Sequence, residues 1–257
     1  MSGAFRIGAV GLEAQQRALD VIASNISNVN TPAFRRSSVR FSEMLAVRNE
    51  AGSLRADLGA TLAATAGVRA ETDFLLDEQG RLESTGRELD LAVDGTGFIE
   101  LLGPDGQTLL WRGGALRVDE DGLLGTAAGV PMKATITVPA DATSIQIGAD
   151  GIVRAQVGTA NELVEIGQIM LVRLETPSAV ERLDGGLYRV LDSARLTEAR
   201  PGEDGMGRLV QGSIERSTVQ LTNEMVQLMM VQRAYAANAQ IIQAADQMMA
   251  LANGLRR

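Results

Sequence analysis

The sequence predicts an α+β protein, with N- and C-terminal helices that pair as a coiled coil and a central all-β domain between them. Three observations carry this. Apolar residues recur every seven positions near both ends of the chain. The middle alternates polar and apolar residues in short runs, and six Asp-Gly pairs punctuate it.

The N-terminal helix is expected over residues 5–29, which contain no proline. Phe5, Leu12, Leu19 and Ile26 fall seven apart, with Ile22 and Val29 in the second seam position beside Gly8 and Gln15. This narrow stripe suits one partner helix. It runs into "SNISNVNTPAF", residues 24–34, where short amides and hydroxyls surround Ile26, Val29 and Phe34. Pro32 disfavours helical geometry at Thr31, and Asn tolerates left-handed backbone, so the helix stops there. The cluster has two readings. It is a helix stop only, or Asn25 and Asn28 also hydrogen-bond adjacent subunits and set register where apolar contacts alone would slide. Just beyond, Arg35, Arg36, Arg40 and Arg48 form a local basic strip. Acidic residues and no stacking aromatics accompany it, so it reads as a solvated or subunit-facing strip rather than a nucleic-acid contact. Residues 1–45 therefore form the start of a helical terminal region.

Residues 46–70 are rich in Ala, Gly and Thr and lack a period, which leaves a long loop and a weak hairpin equally open. Residues 71–212 read as the all-β domain. Runs such as "ELDLAV", "ATITV" and "SIQI" alternate, and Asp-Gly occurs at 94–95, 105–106, 121–122, 150–151, 184–185 and 204–205. Asp-Gly favours turns with positive φ, which implies hairpins rather than βαβ crossovers. The apolar run "QIMLVRL" is expected to form one central strand.

Residues 213–257 hold the second helix. No Gly or Pro occurs between Gly212 and Gly254, and "STVQ" offers a capping box with Ser217 at the N-cap and Gln220 three on. Leu221, Leu228, Tyr235, Ile242 and Met249 recur at intervals of seven, Met225 takes the second seam position, and Gln232 and Asp246 interrupt it. A helix over 217–253 is roughly 55 Å long at about 1.5 Å per residue, too long for a small β domain to cover. It needs partners along its length.

Composition excludes several chemistries. The 257 residues include no Cys and no His, so disulfides, thiolate nucleophiles, Ser-His triads and His-zinc sites are ruled out. The net charge of −8 argues against a general nucleic-acid partner, and 3 % aromatics against a ring-lined pocket. No apolar run is long enough to insert in a membrane, and the charged N-terminus does not resemble a cleaved secretory signal. "DGTGFIE" lacks the third glycine of a nucleotide loop, and "VDEDG" lacks the distal ligand of a calcium loop. Asp90 with Asp94, or Asp119 with Asp121, are the only acid pairs suggesting a glycosidase, and each falls in strand or turn sequence. Trp111 and Tyr188 read as core, and Met225, Met229, Met230, Met248 and Met249 as adaptable packing for a subunit interface. No cofactor and no catalytic or metal-binding residue is expected.

Three motifs are similar to a known family. "LDVIASNISNVNTPAFRR", "ELDLAVDGTGFIEL" and "ERSTVQLTNEMVQLMMVQRAYAANAQIIQAADQMMALANGL" resemble, in order, the N-terminal, central and C-terminal signatures of bacterial flagellar rod and hook proteins. "PADATSIQIGADG" and "PGEDGMG" look most like the distal-rod branch, while Ala33 stands where the family usually carries Gly. The resemblance implies a non-enzymatic subunit that polymerises into a helical rod, with paired terminal helices facing an export channel and a β domain outside. It implies export through the flagellar secretion apparatus without a cleaved signal, and a place in the periplasm-spanning basal body. The partners it implies are copies of the chain, adjacent rod and hook proteins and the export apparatus, with ring proteins around the rod. Leu12, Leu19, Ile22, Asn25, Ile26, Asn28, Val29, Leu221, Met225, Leu228, Tyr235, Ile242 and Met249 are the expected interface residues. A proximal-rod or hook-type subunit is the alternative within the family. A cell-wall glycosidase and a soluble coiled-coil adaptor are the alternatives outside it.

Overall fold

The computed structural model describes residues 2–46, 64–76, 78–158, 162–175, 179–191 and 195–254. They divide into two compact units, each entered more than once by the chain. Unit 1 takes residues 1–27, 37–73 and 220–257, and unit 2 takes residues 28–36 and 74–219.

Unit 1 contains helix α1 (Ser2–Ser27), helix α2 (Leu221–Gly254) and a two-stranded sheet of β1 (Ser37–Ala46) with β2 (Ala64–Phe74). The two helices pack on each other. No described helix is long and apolar enough to cross a membrane. Within the stretch 46–70, Ala64 onward is strand, and residues 47–63 lie outside the described residues.

Both inner helix ends differ from expectation, for local reasons. Helix α1 stops at Ser27 because Asn28 already closes a turn: its carbonyl accepts the Thr31 N–H and its Oδ1 accepts the Thr31 hydroxyl, each at 3.1 Å. Helix α2 starts at Leu221, not at Ser217. The Thr218 N–H donates to the Phe34 carbonyl and its hydroxyl accepts the Arg36 N–H, which holds Thr218 in a bend outside the helix. The carbonyl of Gln220 instead accepts the first helical bonds, from the N–H groups of Asn223 and Glu224.

Unit 2 is all β. Its strands are β3 (Leu82–Ser84), β4 (Asp90–Asp94), β5 (Phe98–Leu102), β6 (Thr108–Trp111), β7 (Gly113–Val118), β8 (Leu124–Thr126), β9 (Ala142–Ile147), β10 (Ile152–Val157), β11 (Glu162–Gln168), β12 (Leu171–Leu174), β13 (Val180–Arg182), β14 (Leu187–Val190), β15 (Leu196–Ala199), β16 (Arg208–Gln211) and β17 (Ser213–Glu215). They form sheets of order β13-β14-β6-β5-β12-β15, β16-β4-β7-β8, β11-β10-β9 and β17-β3. The described pairings in this unit are antiparallel.

The six Asp-Gly glycines all adopt positive φ, between 75° and 106°. Four of these turns close hairpins, β5–β6, β7–β8, β9–β10 and β13–β14. The other two, Gly95 and Gly205, carry the chain from one sheet to another. The run "QIMLVRL" is likewise divided: Gln168 ends β11, and the chain crosses at Ile169 and Met170 to begin β12 in the six-stranded sheet. A continuous apolar run therefore served two sheets, because both cores need apolar residues there.

The six-stranded sheet is buried on both faces. Ile99, Leu101, Leu109, Trp111 and Leu171 join the larger core, and their strand neighbours Phe98, Leu110 and Val172 join Tyr188, Val180 and Leu76 in a second one. This is the period-two alternation of a strand with an apolar layer on each side. Trp111 and Tyr188 are thus core residues of opposite layers. Where β4 and β7 meet, Gly113 has φ 124° and a Cβ there would lie 2.3 Å from the Leu91 carbonyl oxygen. Only glycine fits.

Candidate functional site

In unit 1 the buried positions of α1 are Ala14, Ala18, Ile22 and Asn25. A Cβ on Gly8 would sit 3.0 Å from the Ile242 side chain, and one on Gly11 3.3 Å from the Asn238 amide. At Gly8 and Gly11 the missing side chain therefore lets α2 come close. Ile22 is the large apolar residue buried with Ala14 and Ala18. Leu12, Leu19 and Ile26 are half-buried. On α2, Leu228 and Ile242 are half-buried while Leu221, Met225 and Tyr235 are exposed. The side chains of Phe5 and Met249 lie outside the described residues. Sequence reasoning placed Gly8 in the second seam position but passed over Gly11, Ala14 and Ala18, whose spacing of three and four from it was the available signal.

Asn25 is wholly buried. Its Oδ1 accepts the Ser37 N–H at 3.0 Å, and its Nδ2 donates to the Ser37 carbonyl at 2.8 Å and to Glu224 Oε2 at 3.2 Å. Asn25, one of the two amides expected to face a neighbouring subunit, has its acceptor and donors engaged inside the chain. The amide clamps the point where the chain leaves unit 1 after Ser27 to the point where it returns at Ser37. Glu224 is also wholly buried and stands in the first turn of α2, where the helix dipole favours a carboxylate. Sequence periodicity had not singled it out.

The excursion itself, residues 28–36, belongs to unit 2. Asn28 and Val29 are half-buried there. The Ala33 N–H donates to the Glu215 carbonyl at 2.8 Å, and Phe34 is buried beneath the Arg182 guanidinium, 4.3 Å from its ring centroid. Arg35 does not join a solvated strip. It is buried and pairs with Glu215 at 2.6 Å, while Arg112 meets the same carboxylate at 3.3 Å. Arg36 is half-buried, Arg40 is exposed and pairs with Asp73 at 2.9 Å, and Arg48 lies outside the described residues. Burial lowers the pKa of Arg112 from its ordinary value, against the pull of Glu215. Burial likewise raises that of Tyr188.

Ala33 adopts φ 56°, a left-handed conformation that costs a residue with a Cβ about 1–2 kcal/mol. Ala33→Gly is therefore expected to raise the stability of unit 2 by about 0.5–1 kcal/mol, read as a higher denaturation midpoint from the fluorescence of the single tryptophan, Trp111. An unchanged or lower midpoint would show that the lost methyl outweighs the relieved strain.

The acid pairs are structural. Asp90 is buried in strand β4 and accepts from the Thr85 hydroxyl and, at 2.8 Å, from Arg87 Nε. Asp119 Oδ1 accepts the N–H groups of Asp121 and Leu123 and so shapes its own turn. Among the described residues no group of three Asp or Glu is placed to hold a metal ion.

Comparison with known proteins matches these elements one by one. The family model for flagella basal body rod protein covers residues 5–35, which take in α1 and the excursion. The flagellar hook protein FlgE/F/G D1 domain covers 92–155 in the β unit, and the flagellar basal body rod FlgEFG protein C-terminal model covers 210–255, which take in α2. The flagellar basal-body rod protein FlgG of Borreliella burgdorferi is 34 % identical over the whole of both chains. That of Bacillus subtilis is 34 % identical over 97 % of each. The flagellar basal-body rod protein FlgF of Caulobacter vibrioides is 31 % identical over 91 % of this chain and 90 % of its own. Full-length agreement at this level shows that the chain belongs to the FlgG family of flagellar basal-body rod proteins, structural, non-enzymatic subunits of the distal rod.

Proposed function

We propose that the chain assembles with copies of itself into a hollow helical tube, in which the paired α1 and α2 form a coiled-coil inner layer around an export channel. The tube transmits torque across the periplasm and conducts exported subunits. Copies of the chain, adjacent rod and hook proteins and the export apparatus are its partners, and ring proteins surround it. Delivery occurs through the flagellar export apparatus without a cleaved signal. Within this layer Leu12, Leu19, Ile26, Leu221, Met225 and Tyr235 contact neighbouring chains.

The surface of α2 carries this reading. Of its 34 residues only Glu224, Arg233 and Asp246 are charged, and Leu221, Met225, Val226, Met229, Met230, Tyr235, Ile241 and Met248 are exposed. A helix that is apolar around its circumference requires cover on every side. Contacts repeated head to tail build a filament when they do not close into a ring. Methionine suits such contacts, because its flexible side chain adapts to small differences between neighbours.

Ile241→Glu tests this. Ile241 is 62 % exposed in the single chain, so a carboxylate there is solvated before assembly. After assembly it would be buried in every subunit contact, at a cost of several kcal/mol each. Rods are expected to be absent from purified basal bodies while the Trp111 unfolding curve of the free chain is unchanged. Normal rod yield with Ile241→Glu would remove α2 from the assembly surface.

A further inference from the structure

Two buried guanidinium groups of unit 2 share a single carboxylate. Arg35 and Arg112 are 1 % and 2 % exposed, and one carboxylate, Glu215, meets both. Arg112 spends its remaining bonds on the carbonyls of Val93, Gly95 and Gly97. Arg35 also donates to the Glu78 carbonyl, yet its Nε is buried without a partner among the described residues.

Beside these two side chains lies a cavity of about 170 Å³. Arg35, Arg112 and Arg173 line it together with Gln79, Thr96 and the glycines of the 95–97 turn, and none of its described lining residues is acidic. Leu76, Phe98 and Leu174 supply an apolar wall. Arg173 is exposed and, among the described residues, makes one 3.5 Å contact, with the Asp204 carbonyl. At about 30 Å³ per water the space holds five or six waters, or one small anion with part of its shell.

We propose that this cavity is an oxoanion site that takes one phosphate- or carboxylate-type group. The planar guanidinium of Arg173 supplies a fork at the mouth, and Arg112 and Arg35 supply the field behind it. Guanidinium groups match both oxoanions in geometry, and an apolar wall strengthens the attraction by excluding water. The burial that lowers the Arg112 pKa is offset when an anion enters. The group comes either from solution, as a free anion, or from a carboxylate of an adjoining chain in the rod.

Both sources are tested on the full-length chain. Inorganic phosphate is titrated at constant ionic strength while the Trp111 melting transition is followed. A saturable rise in melting temperature is expected, with affinity weakened about tenfold or more by Arg173→Gln. Arg117→Gln, which removes an equal charge elsewhere on the surface, should leave the titration as it is. A rise of the same size in all three proteins, without saturation, is the general salting effect of phosphate and counts against the site. Assembled rods then separate the sources. If a neighbouring carboxylate fills the cavity, Arg173→Gln rods dissociate more readily than wild-type rods in phosphate-free buffer, and phosphate loosens the wild type. If a free anion fills it, phosphate stabilises rods and free chain alike. Failure of both assays, with no saturable binding and equal rod stability, overturns the proposal.

Discussion

Glu215→Ala is expected to unfold unit 2 or bring it close to unfolding. The substitution leaves Arg35 and Arg112 as charges without a carboxylate at positions that are 1 % and 2 % exposed, and it removes the acceptor of the Gly80 N–H. Stranding one partner of a buried ion pair costs about 3–5 kcal/mol, a large part of the 5–15 kcal/mol that holds a typical domain folded. Trp111 reports the loss directly, since it lies in the larger core of the same unit. Adding Arg35→Met should recover part of the stability, because it removes one stranded charge and keeps an apolar stem in its place. A Glu215→Ala chain that melts with the wild type would mean that the carbonyl dipoles around Arg112 suffice alone.

Asn25→Ala is expected to damage unit 1 and to leave unit 2 intact. Three bonds disappear together, and the Ser37 N–H, the Ser37 carbonyl and the Glu224 carboxylate lose a buried partner. A buried hydrogen bond contributes about 0.5–1.5 kcal/mol, and one to a charged group about 1.5–3 kcal/mol, so the loss should exceed that of an ordinary helix-surface substitution several times over. Helical circular dichroism should melt earlier while the Trp111 transition keeps its position, and basal bodies should lack rods. An intact helical transition with normal rods would show that the clamp is dispensable.

Asn28→Ala is a milder case. It removes a carboxamide that holds the Thr31 hydroxyl in a turn, a contribution of about 1 kcal/mol. The two asparagines looked equivalent in "SNISNVNTPAF". They differ because the chain leaves unit 1 between them: Asn25 faces a return strand at Ser37, and Asn28 turns the chain into unit 2.

Features that depend on a few consecutive residues were legible in the sequence. The Asp-Gly pairs announced positive φ at all six positions, since the absent Cβ makes that conformation accessible wherever the pair occurs. A stretch without Gly or Pro announced α2, and three ordered motifs announced the family. Features that depend on which segments meet were not legible. Seven-residue spacing marks the bulky residues, yet α1 meets α2 most closely at Gly8 and Gly11, because close backbone approach rewards the absence of side chain. Arg35 sits in a run of basic residues whose composition says solvent. Its burial depends on Glu215, 180 residues away in the chain, and a charge enters a core only where the fold delivers its partner.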